Sequence, residues 1–246
     1  NRRCARPGSP RQDREGEPQM TTYIHHRITC APRRWQEVAE RLARSDGAAA
    51  AAGGAVYGLW RSQIGRPRDE VTAITAWPQP IAPEVAEAAL AGGDPGMAAI
   101  ASRAMVPTLR PDRPDPPMRQ GNYAFRWFIT PERDWGEFLD LCAQAWPGFE
   151  AAYDSQVIGL WRCTGEETGD GRCAFVPPTP AVSIASLLLT RRPDLAMWER
   201  SKLPQGAAET AVRDALSRRY DLCDWTGVAT TTLLTAADHK DGARWA

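Results

Sequence analysis

The sequence has little of what most readily betrays a function. Net charge is missing: 30 Lys+Arg stand against 30 Asp+Glu, so the chain lacks the positive excess with which nucleic-acid binders neutralise phosphates. Long apolar runs are missing too, none approaching the ~18 residues that a membrane-spanning helix requires. Six cysteines (Cys4, Cys30, Cys142, Cys163, Cys173 and Cys223) include no C-x-x-C pair, and the 3 histidines do not fall at metal-ligand spacing. Glycine pairs occur, but Gly53-Gly54 and Gly92-Gly93 sit in Ala-rich loops without the strand–glycine–helix context of a phosphate cradle. Nucleophile elbows and paired-carboxylate motifs are likewise missing. These absences predict a chain with reduced thiols, a cytoplasmic location, no metal, no cofactor, and no nucleic-acid or membrane partner. Cys163 and Cys173 flank the loop TGEETGDGR, where they could pair under oxidation or stand as two unrelated loop-edge thiols.

What is present is organisation. Residues 1–19 (NRRCARPGSPRQDREGEPQ) are too polar to order themselves and lack the apolar segment of about 7–15 residues that defines a secretory signal. They read as a disordered leader, or a non-native extension, ahead of Met20. Beyond them the chain repeats. YIHHRITCAPRRWQEV from Tyr23 lies over YAFRWFITPERDWGEF from Tyr123, matching Tyr23/Tyr123, Arg33/Arg133, Trp35/Trp135 and Glu37/Glu137. VYGLWR from Val56 lies over VIGLWR from Val157 at almost the same offset. Two matched segments in register, each carrying a Trp, imply a tandem duplication.

Each copy reads alike. Tyr23–Thr29 and Tyr123–Ile129 are aromatic, β-branched strands bounded by Pro. Trp35–Arg44 and Trp135–Ala145 carry apolar residues at helical spacing and are closed by Gly47 and by Pro147-Gly148. Val56–Arg61 and Val157–Cys163 are second strands, and Val71–Trp77 and Val182–Leu189 third strands. Helices are expected over Pro83–Ala91 and Met97–Ala104, and over Asp194–Ser201 and Ala207–Tyr220. Met105–Leu109 and Thr226–Thr235 complete the copies. The order βαββαβ is the ferredoxin-like unit. The expected fold is α+β: repeat 1 over 20–109, a Pro-rich linker over 110–121, repeat 2 over 122–236 and a tail over 237–246. The two sheets would face each other as a pseudo-dimeric barrel, because each otherwise exposes an apolar face.

The opening Tyr of the strand, the W-x-E-F of the helix (Trp135, Glu137, Phe138) and V-I-G-L-W-R (Val157–Arg162) resemble the NIPSNAP family, as does Met105-Val-Pro-Thr-Leu before a Pro-rich stretch. The resemblance covers Tyr23 to about Thr235 and is better in the second copy. It implies the dimeric α+β barrel fold, whose superfamily includes haem-degrading and cofactor-free monooxygenases. Superfamily members that hold haem use a helix histidine, whereas His25, His26 and His239 all lie outside the predicted helices. These motifs mark a fold rather than an activity.

Several residues are candidates for a site. His25 and His26 alternate on one strand, so at most one faces the space between the sheets; each could be a catalytic base or an imidazole bonded to a neighbouring strand. Tyr123, like Tyr23, is either core packing or a phenol able to donate to an oxyanion. Arg61 and Arg162 close the two G-L-W-R segments, where they could clamp an anionic ligand or pair with acids at strand ends. Trp60 and Trp161 face opposite to those arginines, as core or as a stacking platform, and Trp127 belongs to the aromatic first strand. A ligand site would draw on Trp127, Trp161, Arg61 and Arg162, with His25, His26 and Tyr123 as catalytic candidates. Glu37 and Glu137 read as helix-start acids. Two functions remain open. One is binding of a small apolar or aromatic molecule between the sheets, extending to cofactor-independent monooxygenase-like chemistry. The other is a non-catalytic scaffold, working as a monomeric pseudo-dimer or a homo-oligomer of it. The insertion Thr164–Pro180 could cover a site in the second copy.

Overall fold

The computed structural model describes residues 21–44, 49–50, 52–169 and 176–238. Expectations for residues 1–20, Gly47, Cys173, His239 and the end of the tail lie outside these residues. The described chain runs β1 (Thr22–Cys30), α1 (Trp35–Arg44), β2 (Ala55–Ile64), β3 (Glu70–Trp77), α2 (Pro83–Ala91) and β4 (Met97–Arg110) in its first half. The second half runs β5 (Asn122–Pro131), α3 (Trp135–Tyr153), β6 (Gln156–Cys163), β7 (Ser183–Arg192), α4 (Leu195–Arg200), α5 (Ala207–Asp221) and β8 (Trp225–Leu233). The strands close into one antiparallel barrel in the order β1-β3-β2-β8-β5-β7-β6-β4. Each half supplies four adjacent strands, and the β2–β8 and β4–β6 pairings join them.

Strand alternation sorts the side chains into layers. Tyr23, Tyr57, Trp60 and Ile74 from the first half meet Tyr123, Phe125, Trp127 and Trp161 from the second inside the barrel. Outside, α1 buries Trp35, Val38 and Leu42 against Ile28, Leu59 and Val71. In the second half, α3 lays Phe138, Cys142, Trp146 and Phe149 on Phe128, Leu160 and Leu188. Closure leaves no sheet edge, and each fully buried Trp contributes roughly 1.5–3 kcal/mol or more through area removed from water.

The repeated V-x-G-L-W-R segment has a structural reason. β2 and β6 carry β-bulges at the same place, between Val56 and Gly58 and between Val157 and Gly159. A Cβ on Gly58 would collide with the Trp60 ring, and one on Gly159 with the Trp161 ring. The glycine is therefore the seat on which the indole two residues later folds back.

Two expectations fail. Met97–Ala104 is the first part of the 14-residue strand β4, paired with β1 from Cys30↔Met97 to Tyr23↔Met105. Its Ala-rich composition favours helix, but burying one face beside β1 outweighs that weak preference. Likewise α3 does not end at Pro147 but runs through it to Tyr153. Losing one N–H bond costs less than exposing Trp146, Phe149 and Tyr153, all of which α3 buries.

Candidate functional site

The interior is not uniform along its axis. At the end where β1 and β5 begin, Tyr23, Tyr57 and Trp161 pack ring on ring, with centroids 5.3 and 5.4 Å from Tyr23. The Tyr123 hydroxyl there donates to the Arg119 carbonyl at 2.5 Å, and burial raises its pKa above the ordinary phenol range. Polar groups gather toward the opposite end, and the first half supplies nearly all of them: His25 and Arg27 from β1, Glu70 from β3 and Arg103 from β4, each buried.

His25 points inward, held between Phe125 at 5.8 Å and Trp127 at 5.1 Å between ring centroids. Burial, followed by the charges of Arg66, Arg27, His26 and Arg103, pushes its pKa well below the ordinary imidazole value. It is thus neutral at pH 7, and its Nε2 has no hydrogen-bond partner among the described residues. Among the same residues Trp127 Nε1 and Arg103 Nε and Nη1 are also buried without partners, and the Arg103 guanidinium lies 5.9 Å from the Trp127 ring centroid. Arg27 grips Glu70 through Nε at 3.2 Å and Nη2 at 2.6 Å, while Arg66 donates to the same carboxylate at 3.1 Å. Two arginines thus share the one Glu70 carboxylate. Beside them, burial pushes the Cys163 thiol up to about 11 against the pull of Arg103, so it is a thiol and not a thiolate.

The β6–β7 insertion crosses this end. Its backbone bonds β4 (Thr164 N–H to the Ala104 carbonyl at 3.0 Å, Thr168 N–H to the Ser102 carbonyl at 2.8 Å), and Val176 joins the interior core. Glu167 reaches Arg27 and Glu166 reaches Arg103, both at 3.8 Å. The insertion, outside 170–175, therefore packs along the first half rather than over the second.

The remaining sequence candidates are placed elsewhere. His26 points to the outer face, where Nδ1 meets Ser102 Oγ at 2.7 Å and Nε2 meets Thr75 Oγ1 at 2.9 Å. Both ring nitrogens are engaged, tying β1 to β4 and β3, and burial lowers its pKa to about 3. Arg61 and Arg162 face outward and do not converge: Arg61 stacks 4.2 Å above the Trp35 ring of α1, and Arg162 is exposed beside the insertion. Of the expected ligand residues, only Trp127 and Trp161 line the interior. Arg103 escaped notice because its strand reads as helix. Arg27 was within reach, since it continues the Tyr23–His25 face of β1 by simple alternation. Among the described residues no cluster of three or more His, Cys, Asp or Glu could hold a metal. Nor do the described histidines fit a haem axial role, His26 being saturated and His25 enclosed by Phe125, Trp127 and Arg103. No helix in the described residues is long and apolar enough to cross a membrane.

No known family profile and no characterised protein sequence matches the chain. Solved structures do match. An anthrone oxidase-like protein superposes with a TM-score of 0.55 at 14% identity, covering 93% of this chain and 98% of its own. A protein of Lactobacillus acidophilus, provisionally assigned as a monooxygenase, gives 0.51 at 10% identity, with 88% and 97% covered. A chlorite dismutase of Candidatus Nitrospira defluvii gives 0.50 at 10% identity, with 87% and 90% covered. At such identities the likeness establishes the fold, that of a dimeric α+β barrel with both halves in one chain.

Proposed function

We propose that the protein binds a small aromatic molecule carrying an acidic or carbonyl oxygen at the His25 end of the barrel. The observation that carries this is the set of buried, unpartnered polar atoms facing an aromatic wall: His25 Nε2, Trp127 Nε1, and Arg103 Nε and Nη1. Each such atom costs about 1–3 kcal/mol unless something bonds it. Phe125 and Trp127 would stack on the ring, and Arg103 would receive the oxygen. The Glu167 carboxylate of the insertion, 3.8 Å from Arg27, is an example of an anionic oxygen near this cluster.

The chemistry of this end favours an anion. A neutral His25 can accept a hydrogen bond from a phenol or enol, and Arg103 beside it can donate to a ligand that arrives already as the oxyanion. Such electron-rich anions are the substrates on which oxygen acts without a cofactor. Two of the fold neighbours are named for oxidase- or monooxygenase-like activity, which agrees with this reading at the level of fold. The NIPSNAP-like motifs add nothing to it, since G-L-W is explained by packing.

Thermal-shift measurements with hydroxylated and keto polycyclic aromatics, against alkyl controls of equal size, test the reading. A saturable rise in Tm is expected for the wild type and is expected to disappear in Arg103→Gln. If no aromatic ligand raises Tm, or if Arg103→Gln responds like the wild type, the reading fails and the scaffold alternative takes its place.

A further inference from the structure

A second polar cluster lies outside the barrel, on the second half. Between the outer face of β5 and β7 and the helices α3, α4 and α5 is a half-open cleft of about 50 Å³, and three arginines line it: Arg126 of β5, Arg192 of β7 and Arg219 of α5. Arg126 points outward because its neighbours Phe125 and Trp127 point inward. Among the described residues no carboxylate pairs with any of the three. Of the acids on the adjoining helices, Glu137 pairs with Arg218, Glu150 with Arg110, Glu199 with Lys202 and Glu209 with Arg200.

Aromatic stacking accounts for the faces of these guanidinium groups but not for their edges. Arg192 lies 4.3 Å from the Trp198 ring centroid and 4.9 Å from that of Phe149. Arg219 lies 4.9 Å from both Phe128 and Tyr220, and Arg126 5.2 Å from Tyr220. A stacked guanidinium still carries five N–H donors in its plane, and these need acceptors. Arg219 is 2% exposed; its Nη1 reaches the Cys142 sulfur at 3.7 Å and its guanidinium also hydrogen-bonds Tyr220, but its Nε has no partner among the described residues. Arg192 Nε is also buried and unpartnered, and its Nη1 reaches only the Thr190 hydroxyl at 3.3 Å. The crowding of positive charge is visible in Tyr220. Burial raises its phenol pKa, yet the charges of Arg219, Arg126 and Arg192, with a hydrogen bond from Arg219, hold it below the ordinary value. The barrel fold does not demand this arrangement, because the same register positions in the first half hold His26 and Trp77, both uncharged.

We propose that this cleft is a binding site for an oxyanion, a phosphate or carboxylate group of a small molecule held edge-on by Arg126, Arg192 and Arg219. The volume suits the anionic group itself, and Trp198 at its wall offers a surface for whatever the group is attached to.

Titration calorimetry on the full chain decides the matter, with inorganic phosphate, phenyl phosphate and benzoate as probes and chloride at matched ionic strength as control. Saturable binding of at least one probe is expected, weakened about tenfold or more in Arg126→Gln and in Arg192→Gln, as loss of charge-assisted hydrogen bonds requires. Preference for phenyl phosphate over inorganic phosphate assigns an organic phosphate, equal binding a free ion, and preference for benzoate a carboxylate. A response that chloride reproduces, or wild-type affinity in both variants, overturns the proposal. Should the variants fail to fold, a saturable probe-induced fluorescence change that vanishes in Trp198→Phe upholds it, and a change untouched by that substitution overturns it. Arg103→Gln, which alters the barrel end, is expected to bind the anion like the wild type, so the two sites fail independently.

Discussion

Toward the end where His25 lies, the two halves of the barrel differ in where they place buried charge. Register makes the comparison exact to the residue. His25 pairs with Ile74 and Arg103, and Phe125 with Leu189 and Ala229; Thr29 pairs with Glu70, and Ile129 with Ala185. Inside, then, His25, Glu70 and Arg103 of the first half face Phe125, Ala185 and Ala229 of the second. Outside, the order inverts, with His26 and Trp77 of the first half answering to Arg126 and Arg192 of the second. The residues on which the halves agree (tyrosine, Gly-Leu-Trp-Arg, the helix-start Trp) are explained by packing. Among the described residues, the unpartnered buried indole N–H groups of Trp60 and Trp161 repeat between the halves, whereas the unpartnered atoms of His25, Arg103, Arg192 and Arg219 stand where the halves differ. A repeat therefore marks the scaffold, and its departures mark the places worth testing for ligands.

The sharpest way to break this comparison is to make the first half resemble the second at one interior position. Glu70→Ala installs the second half's residue but removes the carboxylate that Arg27 and Arg66 share. Breaking a buried ion pair by deleting one partner costs about 3–5 kcal/mol, so denaturant unfolding should show a loss of that size. A loss below about 1 kcal/mol, the range of exposed pairs, would mean that the polar end is solvated and that the two interiors differ less than the geometry indicates.

Acid titration probes the same asymmetry by charge. Both described histidines belong to the first half, and both are buried with depressed pKa values, His26 at about 3. The unfolded chain takes up their protons near pH 6.5 while the folded chain refuses them, so the unfolded state binds more protons below that pH. Their contribution is fully present above pH 6.5 and is lost as pH falls toward 3. The slope is expected to reach about 1.4 kcal/mol per pH unit for each histidine. His26→Asn should remove about half of the steepening between pH 6 and 4 when chemical denaturation is followed across that range. An unchanged slope would place the acid sensitivity in carboxylates instead.

Much of the fold could be read before any coordinates because local and global patterns agree in most elements. Alternation marked β1 and β5, helical spacing marked α1, and the in-register repeat implied two facing sheets. Reading failed where tertiary burial overrode local preference: the Ala-rich start of β4 and the passage of α3 through Pro147. The first failure carried a cost at the site, since it hid Arg103. His25 and Trp127 were legible from strand alternation. The matched arginines Arg61 and Arg162 drew attention because they repeat, yet they sit outside, one stacked on Trp35 and the other exposed. Arg126, Arg192 and Arg219 are far apart in sequence and on three different elements, and no linear pattern joins them.

The smallest effect tests the point on which the halves should agree. Gly58 and Gly159 do the same work, each leaving room for the indole two residues on, and neither needs a left-handed backbone. Alanine at either position therefore costs by collision alone, about 1–3 kcal/mol as for other overpacked cores. Symmetry is not complete even here. A Cβ at Gly159 would also lie 2.9 Å from Pro111 Cδ, at the start of the Pro-rich segment that follows β4, whereas around Gly58 only Trp60 is so close. Both rings are otherwise hemmed in alike, Trp60 by Phe125 at 5.2 Å and Trp161 by Tyr23 at 5.4 Å, so the Pro111 contact is what separates the two sites. Gly159→Ala should accordingly lower Tm more than Gly58→Ala, with the difference narrowing when Pro111→Ala is added. Equal losses in the two single variants, or a difference that Pro111→Ala leaves intact, would show that the halves remain equivalent at this motif.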